Sequence, residues 1–253
     1  MNYKTRQTLS LIMAFAIAEF KLRNEGSYLG LFWYLLSPIL TFILLFFIFS
    51  TRLGATIADF PLYLLMGIIL FNFFQFTTTE STKVIQNYRG VIRSIYFPRE
   101  VLVGQLVLKT FFSHIFEMLL FVLLMLFFHM PLWGLFYYPF ILVLLAFFTM
   151  GVSLILCALT VYVSDLENVW SFATRLLWFA TPIFYAQEGV PGISILNKFN
   201  PMYYFITVAR EMVIYQHIPE PFLILGVIVY TITPFICGIW IFKLLKDKFA
   251  EMI

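Results

Sequence analysis

Charged residues are scarce in this sequence, and their scarcity excludes an ordinary soluble domain. Only 11% of the 253 residues are charged and 62% are hydrophobic, whereas soluble domains carry about 25% charged residues. A soluble fold of this composition would have too few polar groups to cover its surface. Apolar runs such as 118–128 are also too long for a soluble core. The chain is therefore predicted to lie in a membrane.

The sequence also lacks the pattern of a membrane barrel and the cysteines of a disulfide framework. Its apolar runs do not alternate with polar residues as barrel strands do, whereas a helix satisfies its own backbone hydrogen bonds in lipid. Cys157 and Cys237 both lie in apolar segments, without disulfide or metal-ligand spacing. These absences predict an all-α integral membrane protein with no metal site.

No phosphate-binding loop of the G-x-x-x-x-G-K-[ST] type occurs, so the chain lacks this ATPase motif. The net charge of +3 is small and does not indicate nucleic-acid binding. Ionisable residues in or beside the apolar segments are too few for a proton-coupled carrier. His114 and Glu117 can meet on one helix face, which favours a polar helix–helix or subunit contact over a metal or proton site. The ionisable candidates are Glu80, Lys109, His114, Glu117 and Arg175.

Six apolar segments are predicted to span the membrane. Most of the 16 Lys and Arg residues fall on one set of the loops between them, and the opposite set carries Arg52, Lys198 and Arg210. The positive-inside rule therefore places both termini in the cytoplasm, which requires an even number of crossings. The predicted spans are 30–51, 61–76 with an extension toward Ser81, 101–128, 136–163, 169–185 and 221–244.

Residues 1–253 form one membrane domain, with two unusual segments outside the predicted spans. Residues 1–26 place apolar side chains on one helix face, which favours an amphipathic interface helix over a cleaved signal peptide. Residues 187–220 contain two short predicted helices, 193–199 and 202–214, separated by Asn200-Pro201. Neither can cross a bilayer, so they either re-enter the membrane or lie on its surface.

Residues 83–100 form the most informative loop on the basic side. Apolar residues from Val84 to Ile95 recur at helical spacing, which predicts one amphipathic helix that Pro98 ends. Such a helix can rest on the membrane or dock into a soluble partner, and a solvated basic loop that only sets topology is the alternative. In the next loop on this side, Ser164 or Asp165 is expected to cap the fifth span.

Aromatic residues are abundant, with 32 Phe, 14 Tyr and 5 Trp. In the first span Phe42, Phe46 and Phe49 share a helix face, and Trp33 and Tyr34 lie near its cytoplasmic end. Such rings form interfacial belts and pack against other helices or lipid. They also suit a path for sugars, whose apolar C–H faces stack on rings. The residues alone leave both interpretations open.

Several motifs resemble those of bacterial polysaccharide and polyol-phosphate ABC export permeases, the type-2 ABC exporters, and most of all their O-antigen branch. The motifs follow the family's order and cover nearly the whole chain, although Ser164 stands where the family often has Arg. They are 27–33 with Ser37-Pro38, 95–102, 161–166, and 181–185 followed by Asn200-Pro201.

The resemblance implies a transport subunit without catalytic residues or a cofactor of its own. It implies a homodimer with a central pore in the bacterial inner membrane, and two cytoplasmic ABC ATPase subunits that hold ATP and Mg. The implied cargo is a lipid-linked glycan of the O-antigen type, used in lipopolysaccharide biosynthesis. Alternative cargoes are teichoic acid and a small lipophilic molecule such as a drug or haem. A membrane-embedded enzyme and a non-catalytic assembly partner are alternatives of a different class.

The resemblance also assigns expected roles to individual residues. Residues 83–100 would carry the gate and coupling helices that meet the ATPase, although Arg89 and Arg93 also suit a diphosphate headgroup or lipid phosphates. Residues 187–220 would form re-entrant gate helices on the outer side. The expected ATPase-coupling residues are Arg89, Arg93, Tyr96, Phe97, Pro98, Arg99, Glu100 and Asp165. The expected channel residues are Trp33, Tyr34, Phe42, Phe46 and Phe49, and the expected outer-gate residues are Asn200, Pro201, Tyr203 and Tyr204.

Overall fold

The computed structural model describes residues 3–24, 32–51, 54, 57–186, 193–246 and 249. Within these residues the chain forms eleven α-helices and no strand, which confirms the all-α prediction. A 3₁₀ turn precedes the seventh helix and a π-helical turn follows the tenth. The helices are α1 Tyr3–Asn24, α2 Phe32–Phe49, α3 Phe60–Ser81, α4 Val84–Asn87, α5 Arg89–Ser94, α6 Glu100–Phe127, α7 Tyr138–Thr160, α8 Leu166–Ala180, α9 Ile193–Phe199, α10 Pro201–Ala209 and α11 Pro221–Leu245.

Four helices in the described part of the chain are long and apolar enough to cross a bilayer, namely α3, α6, α7 and α11. They match the second, third, fourth and sixth predicted spans, and α3 reaches Ser81 as expected. The other two predicted spans correspond to α2 and α8, of 18 and 15 residues. At 1.5 Å per residue these helices measure about 27 and 23 Å, short of the roughly 30 Å of a hydrocarbon core.

The fifth predicted span was wrong at its C-terminal end, because α8 ends at Ala180 and not near residue 185. Thr181 has an extended backbone, with φ −86° and ψ 135°. Proline disfavours helical geometry in the residue before it and has no N–H to continue the ladder. Pro182 therefore ends α8 and leaves residues 181–186 as non-helical chain.

Contacts between loops bring one set of helix ends together. Lys83, just after α3, pairs with Glu167 of α8 at 2.8 Å. Tyr162, just after α7, donates a hydrogen bond to the carbonyl of Leu245 in α11 at 3.1 Å. We call this group of helix ends the basic end, because it carries most of the Lys and Arg residues of the loops.

The other helix ends meet on the opposite side of the bundle. The hydroxyl of Tyr215 donates to the carbonyl of Ala58 before α3, at 2.9 Å. The amide of Gln216 donates to the carbonyl of Pro131, between α6 and α7, at 2.9 Å. The described contacts therefore place five helices, α3, α6, α7, α8 and α11, between the basic end and this opposite end.

The segment 83–100 was predicted as one amphipathic helix, and the structure corrects this to two short ones. The break is at Tyr88, whose φ of −98° and ψ of 15° are not helical. The Tyr88 hydroxyl donates to Glu19 of α1 at 2.5 Å, and its ring meets Phe15 edge-on at 5.8 Å. These tertiary contacts override the helical periodicity of the sequence.

Two other local predictions had different outcomes. Asp165, one of the two expected residues, is the N-cap residue of α8, but its side chain makes no capping hydrogen bond. The two helices predicted after the fifth span are confirmed as α9 and α10. The second begins one residue earlier than expected, at Pro201, and its π-helical turn Arg210–Ile214 completes the predicted length.

The backbones of helices α7 and α11 come into direct contact at two glycines, Gly151 and Gly238. A Cβ atom on Gly238 would overlap the carbonyl oxygen of Gly151 and lie 3.1 Å from its Cα. A Cβ on Gly151 would meet the backbone of Pro234 and Phe235 at about the same closeness. Small residues permit such backbone contact, which gives membrane helices their van der Waals attraction.

We therefore expect Gly238→Ile to lower the midpoint of thermal unfolding by several degrees. The new side chain would have to displace backbone atoms, at a cost of about 3 kcal/mol. Gly90→Ala is the control, because a Cβ there meets nothing within 4 Å and alanine favours a helix. Equal midpoints for Gly238→Ile and the control would contradict close α7–α11 packing.

Candidate coupling surface and gate

In residues 83–100, here called the coupling segment, the side chain of Phe97 is buried and that of the preceding Tyr96 is exposed. Phe97 is only 8% exposed, and its ring lies 5.8 Å from that of Phe15 in α1. Tyr96 is fully exposed and Ile95 is 53% exposed. Phe97 therefore anchors the segment, while two apolar side chains are presented to a partner or to lipid.

Ionic contacts attach the coupling segment to its neighbours. The ammonium of Lys246 lies 2.7 Å from the carboxylate of Glu100. Arg99 donates to the carbonyl of Lys246 and lies over the ring of Phe249, 5.7 Å from its centre. With the Lys83–Glu167 pair, these contacts join the segment to α8 and to the end of α11.

The predicted coupling residues thus divide into two groups. Phe97, Arg99 and Glu100 contact the rest of the chain and set the position of the segment. The remaining five are exposed at the basic end, where a partner can reach them. They are Arg89, Arg93, Tyr96, Pro98 and Asp165.

The Lys83–Glu167 pair predicts a pH dependence. The hydrogen bond between Lys83 and Glu167 and the negative charge of Glu167 raise the pKa of Lys83 above its usual value of 10.5. The stabilisation is therefore full below about 10.5 and is lost as the pH rises through the higher folded-state value. Lys83 is 44% exposed, so we expect less than about 1 kcal/mol.

The measurement is the thermal midpoint of Lys83→Met against the unmodified chain. The gap between them should be small near pH 8 and should close as the pH rises through the raised folded-state pKa of Lys83. Lys198→Met, a change of an exposed lysine at the opposite end, should show no such closing. A gap for Lys83→Met that does not change with pH would contradict the ion-pair account.

The aromatic face of α2 packs against the same chain. Phe42 and Phe46 stack on each other at 5.8 Å, and Phe46 also stacks on Phe60 of α3 at 6.2 Å. Phe49 stacks on Phe184 at 4.6 Å. All three α2 rings are partly buried, so their observed contacts are packing contacts. The side chains of Trp33 and Tyr34 lie outside the described residues, and a sugar path along this set stays a prediction.

At the opposite end, Asn200 links α8 to α10. Its side-chain oxygen accepts a hydrogen bond from the backbone N–H of Met202 at 3.0 Å, which caps α10. Its side-chain nitrogen donates to the hydroxyl of Thr181 at 2.8 Å. Pro201 opens α10, where a fixed φ and a missing N–H are tolerated.

The two tyrosines predicted to lie at an outer gate have different surroundings. Tyr204 is 3% exposed, donates to the carbonyl of Lys198 at 2.8 Å, and packs against Tyr230 at 5.3 Å. Tyr203 is partly buried and lines a cavity of about 520 Å³ with Tyr63 and other residues. Tyr204 therefore holds α10 in place, and Tyr203 faces open space.

Beside this cavity, Arg210 forms a contact that we call the arginine bracket. Its guanidinium donates to the carbonyl of Tyr63 at 2.8 and 3.1 Å, of Pro182 at 2.6 Å and of Ile183 at 3.0 Å. It also lies 3.3 Å from the centre of the Tyr63 ring. The Tyr63 hydroxyl donates to the carbonyl of Tyr185 at 2.9 Å. The bracket thus joins α3, α10 and the chain after α8.

The bracket satisfies backbone groups that no helix serves. Pro182 and Ile183 lie outside the helices, so their buried carbonyls need donors from elsewhere. Arginine suits this role because its fork presents five N–H groups in a fixed plane. Gly67 makes room for it, because a Cβ there would lie 2.6 Å from the guanidinium.

Arg210 was missed at the sequence level, where it was counted as a loop cation. The signal available was a lone arginine inside an otherwise apolar stretch from Val208 to Ile214, interrupted by Glu211 next to it. An isolated ionisable residue in such a stretch usually has a specific partner. The partners themselves are backbone carbonyls, which no side-chain pattern reveals.

The expected polar contact between membrane helices is confirmed for His114 and Glu117. Their side chains approach to 3.0 Å on α6, and the other ring nitrogen of His114 hydrogen-bonds the hydroxyl of Tyr138 in α7. Phe73 of α3 meets the imidazole edge-on at 5.4 Å. The described residues contain no group of three or more His, Cys, Asp or Glu suited to hold a metal ion.

Comparison with known proteins gives matches along nearly the whole chain. A family model described as ABC-2 type transporter matches residues 10–214. The chain is 25% identical over 252 residues to the O-antigen export system permease protein RfbA of Myxococcus xanthus, covering 98% of this chain and 96% of that protein. It is 26% identical over 264 residues to the protein of the same name from Klebsiella pneumoniae, covering 100% and 98%.

Proposed function

Because this chain belongs to the ABC-2 type transporter family, we propose that it is the membrane subunit of an ATP-driven exporter of lipid-linked polysaccharide. The observation that carries the proposal is the near full-length similarity to two permeases named for O-antigen export. The cargo is a glycan of the O-antigen type, moved across the bacterial inner membrane. A charged, hydrated polymer cannot cross hydrocarbon without a lined path, so the subunit must supply one.

The proposed topology has six crossings with both termini in the cytoplasm. The basic end is the cytoplasmic end, because Lys and Arg accumulate on that side of membrane proteins. The short helices α2 and α8 cross together with the non-helical chain next to them. The helices α9 and α10 form a re-entrant gate on the outer side, and α1 lies at the inner interface. Support comes from the two groups of helix ends that the loop contacts define.

The proposed assembly is a homodimer with two ATPase subunits. The helix α8 presents an apolar face, including Phe172 and Phe179 at 61 and 62% exposure, and α2 presents Phe47 at 76%. These faces suit a second copy, with a pore between the two chains, and surrounding lipid. ATP and Mg are held by the separate ATPase subunits.

The ATPase docks on the coupling segment. Tyr96 and Ile95 are exposed apolar groups, and Arg89 and Arg93 add positive charge beside them. Exposed aromatic and arginine side chains in one segment are the composition that often carries binding energy in protein interfaces. The buried Phe97 and the ionic contacts of Arg99 and Glu100 would transmit the partner's movement to α6 and α11.

The test is co-expression of this chain with the ATPase encoded beside it, followed by ATP hydrolysis assays in lipid nanodiscs. We expect a stable complex whose hydrolysis rate changes when lipid-linked glycan is added. The lipid carrier without its glycan is the control and should change the hydrolysis rate less. Absence of a complex, or hydrolysis that ignores both the permease and the glycan, would overturn the proposal.

A further inference from the structure

A second cavity lies at the basic end, between α1, the coupling segment and α6. Its volume is about 190 Å³, which is ample for ordered water or a small polar group. Polar residues from four helices line it, and the apolar residues Val84, Val91 and Leu106 complete the wall. The polar lining consists of Glu19, Glu80, Asn87, Tyr88, Gln105 and Lys109.

One wall of the cavity carries an amide with no partner among the described residues. Gln105 is fully buried, and both its oxygen and its nitrogen lack a hydrogen bond there. A buried amide without a partner is costly, of the order of 1–3 kcal/mol. Gln105 therefore calls for a polar ligand that both accepts and donates hydrogen bonds.

The charges around the cavity are also incompletely matched. The ammonium of Lys109 is nearly buried, and its ion pair with Glu19 is 3.7 Å long, beyond hydrogen-bond distance. Glu19 receives its hydrogen bond from Tyr88 instead. Glu80 adds a second carboxylate to the lining. The cavity lining thus contains one cation, Lys109, and two carboxylates, beside a Gln105 amide that has no hydrogen-bond partner among the described residues.

The position of the cavity suits a lipid headgroup. Lys109 is nine residues into α6, about 13 Å from its start at Glu100. Long side chains on a helix point toward its N-terminus, so the ammonium extends back toward the membrane surface. The adjoining helix α1 exposes Leu9, Met13 and Ile17 to the surroundings.

From these observations we propose that the cavity binds the headgroup of a phospholipid with a primary ammonium, phosphatidylethanolamine. Its phosphate accepts hydrogen bonds from Lys109 and the Gln105 amide N–H. Its ammonium donates to Glu19, Glu80 and the Gln105 oxygen. A neutral sugar would leave Lys109 with only its long ion pair to Glu19, and a diphosphate would be repelled by the two carboxylates.

Native mass spectrometry of the full chain in micelles with equal amounts of phosphatidylethanolamine, phosphatidylcholine and phosphatidylglycerol tests the proposal. We expect retention of phosphatidylethanolamine about tenfold above the other two, because a hydrogen-bonded charge is worth a factor of about ten or more. Phosphatidylcholine has no ammonium N–H to donate, and phosphatidylglycerol has no cation. Equal retention of the three lipids would overturn the proposal.

Two variants and a control make the test specific. Lys109→Met and Gln105→Leu should each reduce the preference about tenfold. Gln105→Leu should also leave the thermal midpoint without lipid unchanged or higher, because it removes an unpaired amide. Lys243→Met, at an exposed lysine outside the cavity, should keep the preference. A preference that persists in Gln105→Leu would overturn the assignment of this cavity.

Free phosphoethanolamine distinguishes a lipid from a soluble compound with the same headgroup. We expect it to displace the lipid only at concentrations far above that of the lipid, because it lacks acyl chains. Displacement at equal concentration would assign the cavity to the soluble compound and overturn the lipid proposal. The outcome does not depend on ATPase binding or export, so it is independent of the proposed function.

Discussion

Replacement of Arg210 by methionine is expected to destabilise the protein by about 3–5 kcal/mol and to abolish the export that we propose for it. The change removes the guanidinium donors from the carbonyls of Tyr63, Pro182 and Ile183, and it leaves Pro182 with only the longer hydrogen bond from the Tyr63 hydroxyl. Each lost partner of a buried polar group costs about 1–3 kcal/mol. The measurement is the thermal midpoint of the purified protein, together with glycan export in cells that express equal amounts of each variant.

Lys198→Met is the control, because Lys198 lies exposed at the same end of the bundle as Arg210. It removes the same charge and should change the midpoint little. Gly67→Ala tests the bracket from the other side, because its Cβ would press on the guanidinium. It should lower the midpoint in the same direction by less. If Arg210→Met and the control have the same thermal midpoint, the bracket does not hold α3 and α10 together.

Replacement of Tyr96 by alanine is expected to weaken ATPase binding at least tenfold without loss of stability. This expectation rests on the proposed function. The ring is fully exposed in the single chain, so folding does not depend on it. Truncation of a central aromatic in an interface costs about 2 kcal/mol or more, which exceeds a factor of ten in affinity. The measurement is the dissociation constant of the ATPase for nanodiscs that contain each variant.

Two comparison variants separate docking from folding. Phe97→Ala should lower the thermal midpoint, because it removes the buried anchor that packs on Phe15, at a cost of about 3 kcal/mol. Trp133→Ala removes a ring that is 84% exposed at the opposite end, and it should leave ATPase affinity unchanged. If Tyr96→Ala binds the ATPase as the unmodified chain does, the docking surface lies elsewhere.

The membrane helices could be predicted from the sequence because their signal is one-dimensional. An apolar run of sufficient length forms a helix in lipid whatever its neighbours are. The predicted spans therefore agree with α3, α6, α7 and α11 to within a few residues. The motif at 95–98 likewise drew attention to a loop that the structure shows to be anchored by Phe97 and exposed at Tyr96.

The contacts within the candidate sites could not be predicted in this way. The helical pattern of 84–95 gave one helix, and the structure breaks it at Tyr88, where Glu19 and Phe15 supply the reason. The α2 rings had two interpretations in the sequence, and in the structure Phe49 stacks on Phe184, 135 positions later. A periodic pattern in the sequence identifies which residues share a helix face, but it does not identify the residues that pack against that face.

The sequence by itself determined that this is an all-helical membrane protein, the approximate position of its spans and its family. Hydrophobic length, charge placement and motif order act locally and can be read along the chain. Only the tertiary structure decided that Arg210 is buried among carbonyls, that Phe97 is an anchor and that the Gln105 amide has no hydrogen-bond partner among the described residues. Those properties depend on which distant groups come within hydrogen-bond or van der Waals distance, and that distance is set by packing of the whole bundle.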